Sequence, residues 1–193
     1  LRGLYRAAAA TVLGGDLAPG RKIVDKMPLN LVDAGLIHRL FPEARFLFVL
    51  RHPADACLSC FMQDFRANRA LVHFDTLEGT VALYDRVMDL WRHFRRVLDL
   101  DVQTLRYEDL VAHPEATARL LLEDLDLPWT DAVLDHTEKA GAPVRAPSYH
   151  QVAEPLYARA VDRWRRYAPH LGDALDPLVP HARAFGYDMD LSE

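Results

Sequence analysis

The segment ARFLFVLRHPADACLSCF, residues 44–61, constrains this chain more than any other. Its stretch RFLFVL holds an unbroken apolar run, which suits a strand covered on both faces, as in a parallel sheet. The run stops at Arg51 and His52, and Pro53, a favoured first-turn residue, then opens a helix expected to reach about Phe65. The chain thus carries an arginine from a strand tip to a helix start. In an open α/β sheet, ligands bind there, outside the carboxyl ends of the strands.

The flanking sequence repeats the alternation. LRGLYRAAAATVLGG reads as a helix ending at Gly14 and Gly15, and GRKIVDKMP as a first strand over Lys22 to Lys26, stopped by Pro28. NLVDAGLIHRLFP has an N-cap candidate in Asn30 and apolar residues at 31, 32, 34, 36, 37, 40 and 41, a helical spacing closed by Pro42. Further on, Asp75 and Glu78 resemble a capping box ahead of a long helix whose Val81, Tyr84, Val87, Met88, Trp91 and Phe94 share one apolar face. DVQTLRYEDL predicts a third strand ending near Arg106 or Tyr107, followed by a helix from Pro114. After Leu127 come one short helix, a proline-interrupted connection and a last helix around LYARAVDRWRRYAPHL. Strands alternating with helices predict an α/β domain with a parallel sheet and right-handed crossovers.

A chain of 193 residues suits a single domain with its own core. A net charge of −5 argues against a nucleic-acid footprint, and no apolar run approaches the roughly 20 residues that span a bilayer. With no signal-peptide pattern, the expectation is a cytoplasmic protein without membrane or nucleic-acid partners. The chain starts at Leu1 rather than Met, and it reads as a piece of something longer. Cys57 and Cys60 form a C-x-x-C pair, but no second pair completes a zinc site, so no metal is expected.

Three groups of residues can carry chemistry. Arg51 can grip a phosphate through its fork of donors, Ser59 can add a hydroxyl, and the helix start adds partial positive charge. The bland alternative pairs Arg51 with Asp55 and leaves Ser59 on the surface. Lys26, at the predicted first strand tip, can neutralise charge on a leaving oxygen, or else is solvated or paired with Asp25. The loop PSYHQVAEPLY can wrap a ligand with Ser148, Gln151 and Tyr157, with Arg163 following, or can be a plain surface loop beside a packed Trp164.

Together VDKMPLNLVDAGLIHRLFPEARFLFVLRHPADACLSCF, LRYEDLVAHPEATARLLLEDLDLPW and PSYHQVAEPLYARAVDRWRRYAPHLG resemble the sulfotransferase family over about residues 20–175. The likeness is nearest to bacterial members that follow tetratricopeptide repeats and to tyrosylprotein sulfotransferases. It implies a fold like that of P-loop nucleotide hydrolases, a parallel sheet flanked by helices. It further implies metal-free transfer of a sulfuryl group from 3'-phosphoadenosine 5'-phosphosulfate to an acceptor such as a protein tyrosine, a sugar or a small alcohol. The family's R-x-P-x-D-x-x-x-S pattern is met by Arg51, Pro53, Asp55 and Ser59, which implies that Arg51 and Ser59 hold the 3'-phosphate. Tyr107 matches the tyrosine that lines the adenosine site. Ser148, Gln151, Val152 and Tyr157 fall in the cofactor-covering loop, Arg163 matches a basic position, and Lys26 matches the lysine of a D-K-x-P block at the sulfuryl group.

The departures are equally concrete. No Gly-, Ser- and Thr-rich loop after a strand is present to cradle the 5'-phosphosulfate, and Pro28 stands where some branches have a histidine base. Position 63 is Gln where some relatives have Arg. The expectation is therefore residues 1–193 as one sulfotransferase domain truncated at its N-terminus, lacking its first strand and loop, with upstream repeats in the parent protein. The alternatives are a non-catalytic nucleotide-binding or interaction module and a thiol oxidoreductase built on Cys57 and Cys60.

Overall fold

A computed structural model describes residues 1–15, 20, 22–63, 71–134 and 158–189. The chain divides into two compact units, one of Leu1–Phe46 with Val87–Gln103, the other of Leu47–Arg86 with Thr104–Glu193. Two strands form where RFLFVL and DVQTLRYEDL predict them, β1 (Phe46–Leu50) and β2 (Val102–Arg106), as hydrogen-bonded neighbours. The Phe46 N–H donates to the Asp101 carbonyl at 2.8 Å, where both strands begin, so the pair runs parallel. With helices before, between and after the strands, the expected α/β class holds.

In the first unit, α1 (Arg2–Leu13) closes as expected on Gly14, whose φ of 76° needs a residue without Cβ. The predicted strand at Lys22 to Lys26 does not form: this stretch carries no strand pairing, with Ile23 40% and Val24 86% exposed. Two apolar side chains bared to solvent supply no burial to reward ordering as a strand. The predicted helix from Asn30 is also corrected. Pro28–Leu31 makes a 3-10 turn, and α2 (Ala34–Leu40) starts only after Asp33. Trp91 is buried and meets Phe46 at 6.2 Å between ring centres.

In the second unit, α3 (Pro53–Phe61) starts at Pro53 and its last helical residue is Phe61. Helix α4 (Leu77–Val97), which belongs to the first unit from Val87 onward, buries Val81, Val87, Met88 and Trp91 along the predicted stripe, but Asp75 does not cap it. Instead the Thr76 hydroxyl accepts the Gly79 N–H at 3.0 Å. A Cβ at Gly79 would stand 2.6 Å from the His73 carbonyl oxygen, so only glycine admits this turn.

β2 runs directly into α5 (Tyr107–Ala112), a helix the sequence pattern does not announce, and α6 (Pro114–Asp124) begins at its proline as predicted. The expected last helix is broken. Asp162 sits at φ 54°, in the left-handed region, so the chain forms 3-10 turns at Ala158–Ala160 and Arg163–Arg166 before α7 (Ala168–Leu171). A further turn and α8 (Val179–Ala184) follow. The core of this unit joins Ala54, Cys57, Leu58, Val81, Trp164, Leu171, Leu175 and Leu178. Among the described residues no helix is long and apolar enough to cross a membrane.

Candidate functional site

Four of the predicted binding residues, Arg51, Ser59, Tyr107 and Arg163, lie in the second unit. Arg51 follows the last residue of β1, and Tyr107 follows the last residue of β2, so the two parallel strand ends present them on one edge. The Arg51 guanidinium lies over the Tyr107 ring, 5.0 Å from its centre, an arrangement in which the ring's negative face holds the cation. Arg51 Nη2 donates to the Ala160 carbonyl, while its Nε is buried without a hydrogen-bond partner. Ser59 is half-buried two turns into α3, and Arg163 opens the turn Arg163–Arg166 with its guanidinium 5.8 Å from the Tyr167 ring centre. Lys26 is exposed in the first unit. Ser148, Gln151, Val152 and Tyr157 lie outside the described residues.

The bland pairing of Arg51 with Asp55 is not the main contact of that carboxylate. Asp55 is 1% exposed, and its Oδ1 accepts the Trp164 N–H at 2.8 Å. Arg51 and Asp55 therefore both hold the segment 158–166, one by a carbonyl and one by an N–H. Burial pushes the Asp55 carboxyl above the usual carboxylate range, against the opposing pull of the Trp164 N–H, Arg51, His52 and the Asp162 N–H. An acid raised in this way binds its proton more tightly folded than unfolded. Its stabilising effect is present below pH 3.8 and is lost as pH rises through the raised value. Asp55→Asn, which keeps an acceptor for Trp164, is expected to remove that loss. Urea unfolding at a series of pH values should show the variant gaining on the wild type as pH rises through this window, and parallel curves would refute the assignment. Asp55→Ala orphans the Trp164 N–H and should cost about 1–3 kcal/mol at neutral pH.

The sequence reading missed three partners around the strand tip. His52 is buried, its Nδ1 accepts the Ala54 N–H at 3.2 Å, and its Nε2–H donates to the Asp188 carbonyl at 2.9 Å. Its ring stacks on Trp164 at 5.0 Å and meets Tyr187 edge-on at 5.1 Å. Glu108 accepts the His52 N–H at 2.9 Å through Oε1 and the Tyr187 hydroxyl at 2.7 Å through Oε2. Pro53 at the first helical position is the one sequence signal that places His52 as a cap. Nothing local announces Glu108 or Tyr187, which lie 56 and 135 residues away from His52.

Cys57 and Cys60 are free thiols on α3. Burial pushes both thiols up, most strongly at Cys57, which is the reverse of the low value a reactive cysteine needs. The arrangement suits anion binding at a strand edge rather than thiol chemistry.

A model described as "Sulfotransferase family" matches residues 3–131. An uncharacterized protein of Aquifex aeolicus is 32% identical over 158 residues, covering 81% of this chain and 21% of that protein. Protein-tyrosine sulfotransferase of Drosophila melanogaster is 29% identical over 187 residues, covering 88% of this chain and 35% of that protein. Protein-tyrosine sulfotransferase 2 of Gallus gallus is 28% identical over 193 residues, covering 88% and 47%. The chain thus spans less than half the length of each of these relatives. With two thirds of its residues under the family model, this chain belongs to the sulfotransferase family.

Proposed function

We propose that the protein transfers a sulfuryl group from 3'-phosphoadenosine 5'-phosphosulfate to an acceptor hydroxyl, and that this chain supplies the half of the site that holds the 3'-phosphoadenosine end. The observation that carries the reading is Arg51: a cation at a parallel strand tip, backed by the Tyr107 ring, with a buried Nε donor that has no partner. An unfilled charged donor in a desolvated place is costly unless an anionic oxygen completes it. A 3'-phosphate fits that requirement, with the Ser59 hydroxyl as a second donor and Tyr107 against the adenosine. Ser148, Gln151, Val152, Tyr157 and Arg163 are the proposed remainder of the nucleotide contacts.

The donor supplies an activated sulfur whose bond to the phosphate oxygen breaks as the acceptor oxygen attacks in line. In this reading Lys26 offsets negative charge on the leaving oxygen, and a base outside this chain takes the acceptor proton. The relatives named for protein tyrosine favour a phenolic acceptor over sugars and small alcohols. The free thiols Cys57 and Cys60 fit the cytoplasm as the proposed compartment.

The test is an assay of adenosine 3',5'-bisphosphate release by the full-length protein with the donor and a tyrosine-containing peptide. Release that depends on the peptide supports the reading, and nucleotide binding without release to any hydroxyl would favour the non-catalytic module. In the same assay Lys26→Ala should lower kcat by about 100-fold or more while leaving nucleotide affinity nearly unchanged. An unaltered kcat would remove Lys26 from the mechanism.

A further inference from the structure

The peptide that joins Arg51 to His52 has its N–H bonded to Glu108 Oε1 at 2.9 Å. That N–H belongs to the same rigid plane as the Arg51 carbonyl, so the bond fixes the ψ angle of Arg51 and with it the direction in which the guanidinium leaves the strand. Glu108 is well placed for this task. It follows Tyr107, whose ring lies under the same guanidinium, and its other oxygen receives the Tyr187 hydroxyl at 2.7 Å. Tyr187 is itself held from two sides, by the His52 ring edge-on at 5.1 Å and by the Arg106 guanidinium 4.1 Å over its ring. Desolvation, then the bond to Glu108, pushes the Tyr187 phenol up, so its hydroxyl stays a donor to that carboxylate.

We infer that Glu108 is a positioning residue for the anion site: it ties the tip of β1 to the start of α5 and to the segment around Tyr187, and thereby aims Arg51. The inference rests on the reading of Arg51 as the 3'-phosphate ligand. Its sign is diagnostic. A carboxylate near an anion site repels the anion, so its removal would by charge alone tighten phosphate binding. A positioning role demands the opposite.

The experiment is calorimetric titration of the full-length protein with adenosine 3',5'-bisphosphate and, separately, with adenosine 5'-monophosphate, which lacks the 3'-phosphate. Glu108→Ala should weaken the bisphosphate by about tenfold and leave the monophosphate nearly unchanged. Glu108→Gln, whose amide oxygen can still accept the His52 N–H, should restore most of the loss. Tyr187→Phe, which deletes one hydroxyl and keeps the ring packing, should cost the bisphosphate about threefold and serves if Glu108→Ala does not fold. Unchanged or tighter bisphosphate binding in Glu108→Ala, an equal loss for both nucleotides, no rescue by Gln, or no selective loss in Tyr187→Phe would each overturn the inference. Arg51→Ala separates the two levels. If it shows no selective loss, the nucleotide reading itself fails, and if it does while the Glu108 and Tyr187 variants do not, only the positioning role falls.

Discussion

Arg51→Ala in the full-length protein is expected to weaken adenosine 3',5'-bisphosphate binding by about 2 kcal/mol or more, roughly 30-fold. Two features make the effect large. The guanidinium is partly withdrawn from water, so each charge-assisted bond it makes is stronger than at an open surface. The Tyr107 ring at 5.0 Å and the Ala160 carbonyl hold it in one direction, which lowers the entropy lost when an anion arrives. Arg51→Lys should recover only part of the loss, because an ammonium cannot reproduce the planar fork or the stacking. Titration calorimetry checks both variants, and unchanged affinity in Arg51→Ala would remove Arg51 from the nucleotide site.

Trp164→Ala should destabilise the protein by about 3–5 kcal/mol, with a fall in Tm on the order of 10 °C. The indole is fully buried at the centre of the cluster that joins α3, α4 and the 168–178 region. It also stacks on His52, the residue that caps α3, so its loss opens a cavity beneath the strand tip. Trp164→Phe should cost much less than the alanine change. The Trp164 Nε1–H is buried without a partner, so phenylalanine loses some contact area but also removes an unmet donor. Thermal unfolding followed by circular dichroism tests the pair. Similar Tm values for the alanine variant and the wild type would mean that this cluster is not the core its burial implies.

Much of the site's frame is legible in the sequence. The RFLFVL run marked β1 by its apolar, strand-forming residues, although the expected cover on both faces is corrected by the structure, where Phe48 and Leu50 are buried but Leu47 and Val49 are 40% and 58% exposed; Pro53 marked the start of α3 because its missing N–H costs nothing at a first helical turn. Both signals are local, and together they put Arg51 at a strand tip. The pattern overreached where a local signal lacked tertiary support. Lys22 to Lys26 has the composition of a strand but bare apolar side chains, and LYARAVDRWRRYAPHL has helical spacing that the left-handed backbone at Asp162 interrupts.

What sequence alone determined is thus the alternation of elements, the strand-tip arginine and the family likeness, since each follows from side-chain order along a short stretch. Only the tertiary structure decided what surrounds Arg51. The Asp55 to Trp164 bond spans 109 residues, the Glu108 to His52 bond 56, and the His52 to Asp188 bond 136. Such contacts leave no periodic trace in the chain, because a polar group is paired in space by whichever partner the packing of apolar faces brings within about 3 Å.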